Sequence, residues 1–262
     1  MFFTVSSCTK NNHFYKGVTM HTPVTRTRTH GLALIACSLL LIQTSHATQN
    51  FSIVKSPITP NAYKRLLMTQ LRNVNSCQET FRIAANRLIE LLVPDVVECL
   101  ATKLIEIDTP VAHCQGEILT DTIELISVMR SGDIPLQIFS QHFPNAPINK
   151  ILIQRNEETA EPVFKYMKLS PTLAHASKVV VVEPMIATGG TLSMLIDLLE
   201  GLGVKEENII IAAVCAAPEG LEQLSSRYPQ ISVVVTVIDE KLNEKKYISP
   251  GIGDFGDRYF GT

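Results

Sequence analysis

One segment constrains the fold of this chain more than any other: four consecutive valines, a turn with two glycines, and an amphipathic stretch. The run Val179–Val182 is apolar at every position, which is typical of a strand buried on both faces of a parallel sheet. The stretch 191–202 has leucine and isoleucine at helical spacing, and the Gly203 that follows is typical of a helix C-terminus. The order of strand, turn and helix predicts a βα unit.

The rest of the sequence repeats this alternation of β-branched runs and helical stretches. Strands are predicted at 125–129, 148–153, 209–215 and 231–238, and helices at 134–143 and 219–227. Another helix is predicted after Ser76, because Ser76 and Glu79 have the spacing of a capping box, and Pro94 marks its end. The alternation predicts an α/β fold, a parallel sheet with helices on both faces, in which ligands bind at the carboxyl ends of the strands.

The turn between the valine run and its helix has the composition of a phosphate-binding site. Two glycines allow close backbone approach, two threonines offer hydroxyls, and the amides at the start of the helix lie at the positive end of its dipole. Glu183, at the end of the strand, suits sugar hydroxyls or a hydrated Mg²⁺. The alternative is a tight turn whose glycines serve only packing, and the P-loop pattern GxxxxGK[ST] is missing from the sequence.

Two arginines follow predicted strands in the same way. Arg130 comes directly after ELISVM, and Arg155 follows INKILIQ. The planar guanidinium fits phosphate oxygens, although a single arginine equally fits a surface ion pair. Two of them at strand ends, in a chain with a phosphate-type turn, favour phosphate binding.

The tail of the chain contains a GxGxxG pattern at residues 251–256. Only six residues follow it, too few for the helix and second strand of a dinucleotide-binding fold. The tail, with Asp254, Asp257 and Arg258, is instead predicted to be a turn-rich loop whose exposed amides and carbonyls contact the edge of a flat heterocycle.

The charge balance excludes binding through a broad basic surface. The chain has 23 Lys and Arg against 25 Asp and Glu, a net charge of −2. Residues 1–47 hold four of the basic groups and no acidic one, so the remainder carries 19 basic and 25 acidic residues, or −6. We therefore expect no nucleic-acid partner, and any anionic ligand must be bound by local groups. The six cysteines form no C-x-x-C pair, which favours reduced thiols over zinc ligands or disulfides.

Residues 1–47 are predicted to be a leader outside the fold. From Met20 a basic run, the apolar run 32–42 and Ser45-His46-Ala47 follow the layout of a secretory signal. The apolar run is shorter than the roughly 20 residues that a membrane-spanning helix needs. An acid-free organelle transit peptide and an inert extension from a misplaced start codon are the alternatives.

Taken together, the motifs of residues 55–262 resemble those of uracil phosphoribosyltransferase, a type I phosphoribosyltransferase family. The segments that carry the resemblance, in the order of the family, are QLRN (70–73), MRSGD (129–133), RNEETAEPV (155–163), EPMIATGGT (183–191), AAPEG (216–220) and YISPGIGDFGDRYFGT (247–262). The resemblance implies a type I phosphoribosyltransferase domain at 48–262, with a parallel sheet, helices on both faces and a C-terminal uracil-binding loop segment.

The resemblance also implies a reaction, in which uracil and 5-phosphoribosyl 1-diphosphate give UMP and diphosphate. The donor is expected to bind Arg130, Arg155, Glu183, Pro184, Met185, Ile186, Ala187, Thr188, Gly189, Gly190, Thr191 and Asp254. Within this set Ala187–Thr191 surrounds the 5′-phosphate, and Arg130 and Arg155 hold the diphosphate. Uracil is expected to contact Ile248, Gly253, Asp254 and Phe255. Arg130, Arg155 and Asp254 are the expected catalytic residues.

Further expectations come from the same resemblance. Mg²⁺ is expected as a cofactor carried by the donor's diphosphate near Glu183, with no direct protein ligand, and GTP as an allosteric activator. We expect a homo-oligomer in the cytoplasm, without a stable membrane span. The polar segment Asn156–Lys168 is expected to act as a flap that excludes water from the donor.

Two departures from the family pattern bear on activity. Glu183 stands where the family usually has Asp, and RSGDIP (130–135) stands where many members have RAGLGM, which places Asp133 near the diphosphate site. These changes suggest a second hypothesis, a catalytically weakened phosphoribosyltransferase-fold protein with a binding or regulatory role. The intact uracil segment favours an active enzyme.

Overall fold

The structure is a computed structural model that describes residues 52–55, 61–155 and 162–262. The predicted leader 1–47 lies outside these residues. The helices are α1 (Ala62–Arg72), α2 (Gln78–Glu90), α3 (Leu92–Val97), α4 (Asp133–His142), α5 (Gly190–Gly201), α6 (Pro218–Arg227) and α7 (Phe255–Phe260). The strands are β1 (Ser52–Lys55), β2 (Thr102–Asp108), β3 (His113–Leu119), β4 (Ile123–Met129), β5 (Ile148–Arg155), β6 (Pro162–Lys168), β7 (Lys178–Val182), β8 (Met185–Ile186), β9 (Ile209–Ala216), β10 (Ser232–Ile238), β11 (Lys241–Leu242) and β12 (Ile248–Ser249).

The central sheet has the strand order β1-β10-β9-β7-β4-β5-β6, and the short β8 also pairs with β9. All of these pairings are parallel except that of β5 with β6. The sheet confirms the α/β class with a mostly parallel sheet. The predicted strands and helices of residues 125–153 and 179–238 all form, with ends that shift by one or two residues.

The core lies on both faces of the sheet. Val180 and Val182 of β7 belong to the apolar cluster that includes α1 to α4, whereas Val179 and Val181 belong to the cluster that includes α5 and α6. All four valines are fully buried. Because neighbouring side chains of a strand point to opposite faces, burial on both faces requires an apolar residue at every position.

The predicted capping box before α2 is wrong. Cys77 occupies the N-cap position and makes no side-chain capping bond, while the Ser76 hydroxyl donates to the Gln70 carbonyl at 2.6 Å. The predicted end at Pro94 is also wrong, because α2 ends at Glu90 and Pro94 lies in the first turn of α3. Proline is accepted there because amides of the first turn have no partner within the helix.

Strands β2 and β3 form a separate antiparallel hairpin that the sequence analysis missed. Seven residue pairs align along it, and nearly every side chain is exposed. Apolar side chains on it, Leu104, Ile107, Ile118 and Leu119, and Val111 of its turn are exposed to solvent. The sequence signal is weak because neither face of the hairpin is buried, so no clear alternation of apolar and polar residues marks the strands.

The expected flap at Asn156–Lys168 is in part a strand. Residues 162–168 form β6, which lies antiparallel to β5 at the edge of the sheet, and the role of this segment as a flap stays a prediction. Residues 156–161 lie outside the described residues. No helix among the residues that the structure describes has the length and apolarity needed to cross a membrane.

Candidate active site

A cavity of about 980 Å³ lies at the carboxyl edge of the sheet, where the strand order predicts a ligand site. Segments that follow β4 and β7 line it, together with the end of β5 and the tail of the chain. Most of the predicted site residues meet here: Arg130, Glu183, Met185, Ile186, Ala187, Gly189, Thr191, Ile248, Gly253, Asp254 and Phe255.

Three residues of the predicted donor site support the turn without lining the cavity. The Pro184 carbonyl accepts hydrogen bonds from the amides of Val214 and Cys215, at 3.0 and 3.1 Å. The Thr188 hydroxyl accepts one from the Gly190 amide at 3.4 Å. These contacts fix the turn to β9 and to the start of α5. Arg155 ends β5, and its side chain lies outside the described part of the chain.

The turn packs against α6 at very short range. Gly189 has a φ of +79°, and a Cβ on it would lie 2.9 Å from the Gly220 carbonyl oxygen. A Cβ on Gly220 would lie 2.3 Å from the Ala187 carbonyl oxygen. Both glycines are therefore required for packing. The same packing directs the N-terminus of α5, with its dipole, towards the cavity. The structure therefore shows the packing role of Gly189, and phosphate binding at the turn stays a prediction.

Glu183 places a carboxylate in the wall of the cavity. Only 8% of the residue is exposed, and the Ser131 hydroxyl donates to its Oε1 at 3.2 Å. The Glu183 amide donates to the Ala212 carbonyl, which fixes the backbone at the end of β7. An oxygen-rich position with a fixed backbone suits sugar hydroxyls or a hydrated cation.

Arg130 connects the loop after β4 with the C-terminal helix. Its guanidinium forms an ion pair with Asp257 and donates to the Thr262 hydroxyl at 3.3 Å. More than half of the side chain, 56%, stays exposed at the cavity. A guanidinium exposed in this way is suited to contact the oxygens of an anionic ligand.

Asp133, which the sequence placed near the diphosphate site, has partners of its own away from the cavity. It lies outside the lining of the cavity, in the first turn of α4. Its carboxylate accepts a hydrogen bond from the Ser127 hydroxyl at 2.7 Å and forms an ion pair with Lys150 at 3.1 Å. The contacts of Asp133 therefore give no support to the hypothesis of a weakened binding protein.

The tail is only partly the loop that the sequence predicted. Residues after Asp254 form α7, so Asp257 and Arg258 lie on a helix. The helix forms because the Asp254 carboxylate accepts the Asp257 amide at 2.8 Å, and Gly261 ends it at a φ of +81°. The loop before it contains Gly251 and Gly253, both with positive φ, and presents its backbone to the cavity.

Sequence reasoning missed several residues of the cavity wall, among them Lys245, Lys246 and Tyr247. Lys246 has a φ of +62° and is the only non-glycine residue with positive φ in the described ranges. The Asn243 side chain accepts the amides of Lys245 and Tyr247, both at 3.0 Å, and so forms an Asx turn. Asparagine between the short apolar runs of this segment was the available signal for a tight turn.

A buried ion pair beneath the tail was also missed. Asp239 and Arg72 are paired through two hydrogen bonds, and the Asp239 side chain is 2% exposed. Burial alone raises the pKa of Asp239, but the hydrogen bonds and charge of Arg72, with the Cys215 thiol and the Gly251 amide, lower it overall. Burial and the Asp239 charge raise the pKa of Cys215 strongly, so this thiol is protonated at neutral pH.

A second cavity, of about 650 Å³, lies at the opposite edge of the sheet. It is mostly apolar, and its described lining contains His142 and His175 but no lysine or arginine. The first cavity therefore suits a phosphorylated substrate better. Among the described residues, no group of three or more histidine, cysteine or acidic side chains is arranged to hold a metal ion.

Comparison with known proteins identifies the family. The family model of uracil phosphoribosyltransferase matches residues 58–262. The uracil phosphoribosyltransferase of Dictyostelium discoideum is 39% identical over 218 residues, 82% of this chain and 97% of that protein. The uracil phosphoribosyltransferase 1 of Schizosaccharomyces pombe (strain 972 / ATCC 24843) is 39% identical over 197 residues, 75% of this chain and 90% of that protein.

A solved structure has a similar fold over most of the chain. The AQ2163 protein from Aquifex aeolicus aligns with a TM-score of 0.68 and 30% sequence identity, over 80% of this chain and 98% of that one. The family match, the relatives and the fold cover the same part of the sequence as the motifs. The chain therefore belongs to the uracil phosphoribosyltransferase family.

Proposed function

We propose that this protein transfers the 5-phosphoribosyl group from 5-phosphoribosyl 1-diphosphate to uracil, giving UMP and diphosphate in pyrimidine salvage. One observation supports this most: a single cavity is lined by the phosphate-type turn, by Arg130 and by the backbone of the tail. These three parts suit the three portions of the reactants, which are the 5′-phosphate, the diphosphate and the base. Membership of the family supports the same reaction.

In this proposal the residues act by binding and by charge stabilisation. The N-terminus of α5 and Ala187–Thr191 hold the 5′-phosphate, and Glu183 faces the ribose hydroxyls. Arg130 and Arg155 hold the diphosphate, whereas Ile248, Gly253, Asp254 and Phe255 hold uracil. The bond from the ribose to diphosphate breaks with its electron pair on the diphosphate. Uracil forms the new C–N bond through its ring nitrogen, and its N–H proton passes to the departing diphosphate. The arginines stabilise the negative charge that develops.

We propose that Mg²⁺ enters with the donor's diphosphate. The buried Glu183 carboxylate, with the Ser131 hydroxyl beside it, is suited to accept hydrogen bonds from the waters of a hydrated Mg²⁺ that the diphosphate carries. When bound, the ion stabilises charge on the leaving diphosphate. Removal of Mg²⁺ with a chelator is expected to abolish UMP formation, and the same assay with and without GTP tests the expected activation.

The direct test is an assay of the full chain with labelled uracil, the donor and Mg²⁺, with separation of labelled UMP. We expect UMP and diphosphate in equal amounts. A folded protein that forms no UMP, yet is stabilised thermally by added UMP, would support the weakened binding protein instead. In that case Glu183→Asp should restore turnover.

We also propose that the protein is a homo-oligomer. The β2–β3 hairpin supports this because both of its faces are exposed and it carries several apolar side chains. An isolated hairpin is marginally stable in water, so a second copy that covers it is favourable. Light scattering after gel filtration tests this, with a monomer at micromolar concentration as the contrary result.

We propose a cytoplasmic location, where the phosphoribosyl donor is available. Mass spectrometry of the native N-terminus is the test. A chain that begins at or near Thr48 would mean that a leader is removed and would contradict this simple assignment.

A further inference from the structure

The carboxylate of Asp239 and the guanidinium of Arg72 form a buried pair next to the tail. Arg72 Nη1 donates to Asp239 Oδ2 at 3.0 Å, and Nη2 donates to Oδ1. Asp239 is 2% exposed and Arg72 is 28% exposed at the side chain. A two-point contact of this kind fixes orientation as well as distance.

Both partners of this pair also bind the same residue of the tail. The Gly251 amide donates to Asp239 Oδ2 at 2.8 Å, and the Gly251 carbonyl accepts from Arg72 Nη1 at 2.9 Å. Gly251 is therefore held through its donor and its acceptor at once. Its φ of +63° leaves no room for a side chain, because a Cβ would lie 2.1 Å from the Ile248 carbonyl oxygen.

The pair rests on the rigid part of the fold. The Asp239 amide donates to the Ala216 carbonyl at the end of β9, at 2.8 Å, and the Cys215 thiol donates to the Asp239 carboxylate at 3.3 Å. Arg72 belongs to the last turn of α1, whose side chains pack in the core. The sheet, through Asp239, and α1, through Arg72, therefore hold the loop from two sides.

A second arginine joins the same loop to α1. Arg258 Nη1 donates to the Ile252 carbonyl at 2.7 Å and to the Leu71 carbonyl, and Nη2 donates to the Asn73 carbonyl at 2.8 Å. These carbonyls of the last turn of α1 and the residue after it lack partners within the helix, so the cation is favourable there. The backbone is consequently fixed at Gly251 and at the residue that follows it.

We propose that Arg72 and Asp239 are positioning residues that hold the uracil-binding loop, residues 248–255, in its binding geometry before uracil arrives. The inference rests on the proposed function, because it requires that this loop binds uracil. Neither side chain lines the cavity, so both act through Gly251. A loop held by two fixed hydrogen bonds loses little entropy when it binds a small planar base.

The test compares Arg72→Lys with Arg227→Lys in the full chain. Arg227 is a matched control, since it forms an Arg–Asp pair with Asp197, at 2.9 and 3.0 Å, on the surface away from the cavity. Lysine keeps the positive charge of Arg72 but cannot make the two parallel N–H bonds that the guanidinium makes with Asp239. We expect the KM for uracil to rise about ten-fold or more, with the donor KM changed by less than about two-fold and kcat affected less than the uracil KM.

Asp239→Asn provides a second variant and is expected to give the same separation of the two KM values. An unchanged uracil KM in both variants, or an equal rise of both KM values, would overturn the positioning role. An effect of the same size in Arg227→Lys would also overturn it.

Hydrogen exchange gives a readout without substrates. Amides of residues 248–255 should exchange faster in Arg72→Lys than in the wild type and should be unchanged in Arg227→Lys. If the wild type forms no UMP, the proposed function fails. If the wild type forms UMP and the loop amides and uracil KM of Arg72→Lys match those of the wild type, only the positioning role fails.

Discussion

The phosphate-type turn, Glu183–Thr191, and the uracil-binding loop, residues 248–255, face the same cavity and are held in different ways. The turn joins β7 to α5 and is held mainly by the next strand and helix along the chain, through hydrogen bonds with β9 and close packing against Gly220 of α6. The loop is shaped by distant residues, with Arg72 and Gly251 separated by 179 positions. Contacts between neighbouring elements can be predicted from a sequence, whereas contacts between distant residues can be found only once the fold is known.

The largest effect is expected from a methyl group at the turn. Gly220→Ala places a Cβ 2.3 Å from the Ala187 carbonyl oxygen, so the turn or α6 must shift. We expect kcat/KM to fall by on the order of 100-fold, because displacement of a binding group by about 1 Å has an effect of that size. Steady-state kinetics with each substrate varied would measure it.

Gly201→Ala is the matched control for this substitution. Gly201 also lies in a helix, and a Cβ there meets no atom within 4 Å. Activity should be unchanged and stability should rise by about 0.5–1 kcal/mol. Equal activity of the two alanine variants would show that the turn does not depend on its contact with α6.

A smaller effect is expected from Lys246, which lines the cavity beside the uracil-binding loop. Lys246→Gln removes one exposed cation from a site for a polyanion, and the donor KM should rise by up to about five-fold, as for an exposed charge pair. Lys246→Gly should raise the donor KM equally, and it should increase stability by up to about 1 kcal/mol because it relieves the positive φ.

Lys241→Gln is the control, because Lys241 belongs to the same hairpin, β11 with β12, and does not line the cavity. Donor titration measures the effect of the Lys246 charge on the donor KM, and thermal unfolding measures the effect of its positive φ on stability. If the donor KM rises equally in the Lys241 and Lys246 variants, the cause is the loss of a positive charge anywhere on this hairpin, and not its position at the cavity.

The smallest expected effect is on the acid stability that the Arg72–Asp239 pair gives to the uracil-binding loop. The pKa of Asp239 is lowered in the folded protein, so the stability that it contributes is present above about pH 4, the ordinary value, and is lost as the pH falls through the folded pKa. The difference in unfolding free energy between wild type and Asp239→Asn should shrink below about pH 4. Urea unfolding over a pH series measures it, and a constant difference would contradict the linkage.

The elements and residues that were predictable from the sequence are those fixed by burial or by local chemistry. The strand Val179–Val182 was predictable because burial on both faces demands four apolar residues, and α5 because its apolar face ends at a glycine. Arg130 was predictable from its place at a strand end, and its pairing with Asp257 was not. The Ser76 capping box failed because the serine bonds to a preceding carbonyl, a choice that depends on how α1 ends.

The remaining parts depend on contacts that local patterns do not contain. The β2–β3 hairpin has no buried face, and Lys246 adopts a backbone conformation that favours glycine. Arg72 carries no local signal for its role, because nothing near it in sequence indicates Asp239 as its partner. The predicted set therefore included the loop residues that line the cavity and omitted those that hold the loop.

Gly251 illustrates a consequence for genetic screens. Every missense change of a glycine codon adds a side chain, and at this position the first carbon would overlap the Ile248 carbonyl. Saturation mutagenesis should therefore record Gly251 as intolerant to all replacements, with the profile of a chemically active residue. The profile would originate in this steric overlap, at a residue whose amide and carbonyl bind the protein's own ion pair, so intolerance alone does not identify the groups that perform the reaction.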